Sequence, residues 1–229
     1  AQAFERYDLV SAPVVDKDRR LVGRVTVNAV VDYIRESTET EQLSRAGLRE
    51  GEDIFASVWD SVKNRWSWLA INMVTAFIAS RVIGAFEGSI EKLVALAALM
   101  PIVAGIGGNS GNQTITMIVR ALALGQVQQE SARVLLRKEI GVAMVNGLIW
   151  GSLLGFVAWW LYRSVALGAV MTAAMMLNLI VAATVGVAVP LLRQRLGYDP
   201  AIGSSVLITA VTDSGGFFIF LGLATVFLL

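Results

Sequence analysis

Asp213 is the sole ionisable side chain in the run AIGSSVLITAVTDSGGFFIFLGLATVFLL, Ala201 to Leu229. That run is long enough to cross a bilayer as a helix, and Asp213 lies near its middle. A carboxylate at the bilayer centre costs about 2.5–3.5 kcal/mol even on the lenient insertion scale, so it rarely stands without a partner. The nearest lysines and arginines lie at the ends of apolar runs, which makes a cation from solution the expected partner. Ser205, Thr209, Asp213 and Gly216 or Phe217 follow at i, i+4, i+8 and i+11 or i+12, which is one face of a helix. The face is a stripe of oxygens leading to a carboxylate. Gly215 and Gly216 beside it admit close approach of a neighbouring backbone or loosen the helix locally.

The chain has no histidine and no cysteine. Imidazole and thiolate ligands are therefore excluded, and with them zinc or copper sites and disulfide staples. Oxygen ligands favour hard ions such as Mg²⁺, Ca²⁺ or Mn²⁺. A second polar group lies in GGNSGNQT, after the apolar run Leu93–Ile106 that contains Pro101. A Gly-rich polar stretch at membrane depth cannot face lipid; it is buried in protein or lines a wet cavity. Small residues alone would suit two short helices in tight contact. Asn109, Asn112 and Gln113 add polar groups that packing does not need. The expectation is a span interrupted near Gly105–Asn112 that packs on the last span and shapes a pore, with Asn109 and Gln113 holding waters or bracing that span.

The elements that must position these groups are apolar. Of 229 residues, 55% are hydrophobic, and the mean hydropathy is +0.64, more than soluble domains reach. Net charge is +1, which implies no attraction to nucleic acid. The chain opens on polar, charged sequence, with no cleavable signal peptide expected. Five spans are expected: Trp66–Phe86, Leu93–Val119, Ile140–Tyr162, Val165–Leu191 and Ala201–Leu229. The third and fourth read as uncharged, and Arg81 snorkels from the first.

Lys63, Arg65, Arg120, Arg133, Arg137, Lys138, Arg193 and Arg195 flank one side of these spans, Lys92 and Arg163 the other. The positive-inside rule then puts the N-terminus in the cytoplasm and the C-terminus outside. Glu87 and Glu91 fall at the outer mouth, where negative charge concentrates cations.

Ahead of the spans, LVSAPVVD and RLVGRVTV read as two strands joined by Lys17–Asp18–Arg19. Asn28 caps a following helix, AVVDYIRE. Two strands and a helix cannot bury a core alone, so this reads as the tail of a larger domain. Residues 38–65 read as an acidic link, then an amphipathic helix with Ile54, Val58 and Val62 at i+4 and Phe55 and Trp59 beside them.

Four stretches resemble the MgtE family of magnesium channels and transporters: SAPVVDKDRRLVGRVTVNAVVDYI, RWSWLAINMVTAFIASRVIGAFE, LMPIVAGIGGNSGNQTITMIVRALALGQV and DPAIGSSVLITAVTDSGGFFIF. The first is similar to the second half of a CBS domain. The last two carry the long signatures P…GGNxGxQ…RALALG and DPA…D…G. Together the resemblance covers essentially the whole chain.

The fold it implies is an all-α membrane protein of five transmembrane helices. It forms a homodimeric pore on a two-fold axis and carries a partial α/β CBS remnant at the N-terminus. The domains implied are a CBS part over 1–37, a linker and plug helix over 38–65, and the membrane domain over 66–229. Asp213 matches the family's pore aspartate, which holds a largely hydrated Mg²⁺ with its symmetry mate. Thr209 and Ser205 match pore-lining positions, with Gly216, Asn109 and Gln113 beside them. Glu52, Asp53 and Asp60 are the regulatory acidic candidates, through which cytoplasmic Mg²⁺ would close the pore. Mg²⁺ is thus both cargo and regulator; Mn²⁺, Co²⁺, Ni²⁺ or Ca²⁺ can stand in. The setting implied is the plasma (cell inner) membrane, multi-pass, with ATP binding only through full CBS domains. The family commonly has proline where Val206 and Ser67 stand here. The first change alters the kink of the pore helix, and the second alters the entry to the first span. Mg²⁺ yields its water reluctantly, so one aspartate per subunit, doubled by symmetry, suits it.

Two other functions fit parts of this pattern. Asp213–Ser214–Gly215 is like the Asp-Ser/Thr-Gly signature of aspartic proteases, but those need two coupled carboxylates, and here one lies in an apolar helix. The chain is accordingly not expected to be an enzyme. A proton- or sodium-coupled carrier of a small solute would also use broken helices and a midplane carboxylate. No inverted repeat relates the halves of this chain.

Overall fold

The computed structural model describes residues 2–45, 47–48, 55–126, 132–200 and 203–229. The chain divides into two compact units, Ala1–Asn64 and Arg65–Leu229. In the first, α1 (Gln2–Tyr7) precedes an antiparallel hairpin of β1 (Ser11–Val15) and β2 (Leu21–Thr26), and α2 (Val27–Arg45) follows. The register pairs Ser11 with Thr26 and Val14 with Gly23, then slips between Val14 and Val15. The turn is built by Asp16, whose Oδ1 accepts from the N–H groups of Asp18 at 2.9 Å and Arg20 at 2.8 Å. Arg19 takes the left-handed conformation there, φ 61°.

Two expectations for this unit need correction. Thr26, not Asn28, stands before the helix, its Oγ1 3.5 Å from the Ala29 N–H. The helix also runs beyond AVVDYIRE to Arg45, because the Glu, Gln and Leu of the acidic stretch are good helix formers. None of the described residues up to Asn64 is buried, as expected of two strands and one helix.

The second unit is helical. The long elements are α3 (Val58–Ala85), α5 (Ala95–Ala123), α6 (Ala132–Tyr162), α7 (Val165–Arg195) and α8 (Ser204–Leu228), with the short α4 (Glu87–Lys92) between the first two. By length and composition α3, α6, α7 and α8 can cross a membrane. α5 is as long, 29 residues, but its polar stretch sets it apart from those four in hydropathy. The expected connector helix is not a separate piece among the described residues: Val58 and Val62 lie in the first turns of α3, and Ile54 is outside the described residues.

α7 is the centre of the bundle and packs on α5, α6 and α8; α5 also packs on α8. The core joins Leu96 and Val103 of α5, Met171, Met175 and Leu179 of α7, and Phe220 and Leu221 of α8. Lipid tails are as apolar as leucine, so close approach, not hydrophobicity, drives such contacts. Gly147, Gly151 and Gly155 recur every four residues on α6 and lie against Met176, Thr172 and Gly168 of α7. Thr172 Oγ1 donates to the carbonyls of Gly151 and Gly168, both at 3.0 Å. α7 begins at Ser164, whose Oγ accepts from the Leu167 N–H at 3.2 Å.

Candidate cation site

α8 carries the stripe read from sequence. Ser205 and Asp213 are half-buried and Thr209 is exposed, whereas Ile208, Thr212 and Gly216 turn inward and are buried. The inward side is fixed by α5 and α7. A side chain at Gly111 would come within 2.8 Å of Ile208 Cδ1. One at Gly108 would sit 3.5 Å from Thr212 Oγ1. Thr212 satisfies its hydroxyl on its own helix, donating to the Ile208 carbonyl at 2.8 Å. Thr209 Oγ1 likewise donates to the Ser205 carbonyl at 3.0 Å, which leaves the oxygen free to accept or to ligate. Asp213 has no hydrogen-bond or ion-pair partner among the described residues. A carboxylate acceptor thus stands open, on a helix that the subunit packs from the other side.

The polar residues of α5 lie elsewhere. The expected interruption of this span is overturned: the helix is continuous from Ala95 to Ala123, with Pro101 inside it. Helical bonding satisfies the backbone of GGNSGNQ, and Gly107, Gly108 and Gly111 are buried. Asn109 and Gln113 line a cleft of about 350 Å³ with Ser110, Asn146 and Trp150, and no residue of α8 lines it. Within one subunit, therefore, Asn109 and Gln113 are not brought together with Asp213. Gly216 is near the stripe but turned toward α7.

Among the buried polar groups that escaped the sequence reading, Asn178 and Glu139 stand out. Asn178 of α7 is fully buried, and its Nδ2 donates to the Val103 carbonyl of α5 at 2.9 Å. Its Oδ1 has no partner among the described residues. Gly107 and Gly216 make the space for it: a side chain at Gly107 would collide with the amide, and one at Gly216 would sit 2.7 Å from Nδ2. The signal was present, since Asn178 is a lone amide in an apolar run, the pattern that singled out Asp213. Glu139 is also buried, in α6, accepting from Thr114 Oγ1 of α5 at 3.1 Å. Lys138 Nζ lies 3.7 Å from its other oxygen. The span expected to begin at Ile140 missed it, because the helix starts at Ala132.

The acidic α4 is tied to the end of α8. Ser89 and Thr225 share a hydrogen bond of 2.7 Å, and the rings of Phe86 and Phe218 meet edge to face at 5.9 Å. Glu87 and Glu91 are thereby held near the C-terminal end of the helix that carries Asp213. Of the regulatory candidates, Glu52 and Asp53 lie outside the described residues. Asp60 is in the first turn of α3 and accepts from Ser57 Oγ at 2.6 Å, while Ser57 Oγ lies 3.3 Å from the Asp60 N–H. Ser57 thus caps the helix by accepting from the Asp60 N–H while its hydroxyl holds the Asp60 carboxylate, which gives Asp60 a local role at the helix start.

Residues 100–223 match the MgtE family, described as divalent cation transporters. Among curated proteins, the magnesium transporter MgtE of Thermus thermophilus is 35% identical over 231 residues, and that of Bacillus subtilis 31%. The Enterococcus faecalis protein of the same name is 27% identical. Each alignment takes in 100% of this chain but only 51%, 51% and 50% of the relative. The chain thus spans about half the length of the curated relatives it matches.

Proposed function

Because the chain belongs to the MgtE family of divalent cation transporters, we propose that it moves Mg²⁺ across a membrane, the ion held between Asp213 and its copy in a homodimer. The observation that carries this reading is the open carboxylate. Asp213 is unpartnered among the described residues, on a 25-residue apolar helix, with Ser205 and Thr209 on the same side. A lone carboxylate in a membrane helix calls for an opposite charge, and no lysine or arginine lies on α8. Two copies of the stripe facing one another balance a divalent ion, which keeps most of its waters. Thr209 and Ser205 offer oxygens to those waters on the approach.

The remaining parts take their places around that site. All five long helices cross the membrane, α5 included, since its polar stretch is covered by α7 and α8 or faces the cleft with Asn146. Asn109 and Gln113 serve the pore by holding waters in that cleft, and since no residue of α8 lines it, the bracing of α8 is not retained. The N-terminus is cytoplasmic and the C-terminus outside, so α4 with Glu87 and Glu91 gathers cations at the outer end. Residues 1–37 are the second half of a CBS domain, 38–65 a linker and plug-like helix, and 66–229 the membrane domain of a plasma-membrane protein. Cytoplasmic Mg²⁺ acting through Glu52, Asp53 and Asp60 closes the pore. The case for a proton- or sodium-coupled carrier weakens, because the broken helix it drew on is continuous.

Proteoliposomes loaded with a Mg²⁺-sensitive dye test the proposal. Asp213→Asn keeps the shape and removes the charge. It is expected to lose uptake while eluting as the same oligomer as wild type. Uptake by Asp213→Asn at the wild-type rate would sink the assignment.

A further inference from the structure

At one end of the bundle α6 and α7 part to leave a groove of about 340 Å³. Its floor is apolar, with Leu136 of α6 and Ala188, Leu191 and Leu192 of α7, and its rim carries Arg133 and Arg195. None of its lining residues is acidic. Both arginines are exposed, and neither has an ion-pair partner among the described residues. Arg137, Lys138 and Arg193 lie on the same ends of these helices, while the one buried carboxylate there, Glu139, is already engaged by Thr114 and Lys138.

We infer that this groove holds an anionic phospholipid. The length fits first. On α7 the lining runs from Thr184 to Arg195. Eleven rises of 1.5 Å make roughly 16 Å. One leaflet of hydrocarbon is about 15 Å, half the bilayer core. The α7 wall can therefore lie along an acyl chain over one leaflet, with α6 closing the outer part through Ala132 and Leu136 and the arginines at headgroup depth. The charge fits second. A guanidinium grips a phosphate through two parallel hydrogen bonds, and its weaker hydration makes it suited to that interface. Basic pockets between membrane helices are where anionic headgroups collect. A zwitterionic lipid would fill the groove but would offset the phosphate with its own cation.

Native mass spectrometry of the purified protein with dioleoyl phosphatidylglycerol or dioleoyl phosphatidylcholine tests this, since the two lipids share their chains. Wild type is expected to retain the anionic lipid about tenfold or more over the zwitterionic one. Arg133→Gln with Arg195→Gln should remove the preference. Ala188→Trp should lower retention of both lipids by filling an exposed part of the groove. Lys92→Gln with Arg163→Gln, at other helix ends, should change nothing. Glycerol 3-phosphate should not displace the bound lipid. Equal retention of the two lipids by wild type, an undiminished preference in the arginine variant, or displacement by glycerol 3-phosphate would each overturn the assignment.

Discussion

Asp213 was legible because a charge in an apolar helix needs no structure to be noticed. Asn178 offered the same signal in weaker form and was missed, and Glu139 was hidden because it lies ahead of the apolar run that begins at Ile140. The structure adds what surrounds each. Gly107 and Gly216 exist as glycine because the Asn178 amide occupies the space a side chain would take. Gly107→Val is thus expected to destabilise by about 1–3 kcal/mol through overpacking at a three-helix junction. Gly105→Val, with open space at its Cβ, should cost less. Thermal unfolding in detergent compares the two, and equal loss would remove the steric reading. Thr209→Val keeps the size and removes the oxygen beside Asp213. It should lower uptake yet spare stability, since the Thr209 hydroxyl bonds only the carbonyl of its own helix.

At the scale of elements, the presence of the long helices was readable from apolar runs, but their polar first turns were not, since α3 starts at Val58 and α6 at Ala132, and GGNSGNQ proves to be no break. Glycine lowers helix propensity, yet here three glycines give α5 its contacts with α7 and α8, and packing prevails over propensity. The polar side chains fall on the sides those contacts leave free. The acidic stretch after residue 37 reads as a link by its charge, but its Glu, Gln and Leu continue α2 to Arg45. The Glu139–Thr114 bond joins α6 to α5 and gives a prediction at this scale. Glu139→Leu should cost about 1–3 kcal/mol by leaving the buried Thr114 hydroxyl without its partner. Thr114→Val made with Glu139→Leu should cost less than the sum of the two. A strictly additive double-mutant cycle would show that the pair does not interact.

For the whole molecule, the chain packs α5 and α7 on one side of α8 and leaves Asp213, Thr209 and Ser205 unfilled. A single chain thus presents one open carboxylate, and in the proposed dimer its copy would supply the second. The residues alone left open whether the polar stripe meets another helix of its own chain, and the symmetry mate was an expectation of the resemblance only. The most direct test is anomalous diffraction from crystals soaked in Mn²⁺, which shows both place and stoichiometry. The account predicts one strong peak on a two-fold axis, between the Asp213 carboxylates of two subunits. A peak bound by one subunit alone, or manganese ordered elsewhere with none near Asp213, would contradict it.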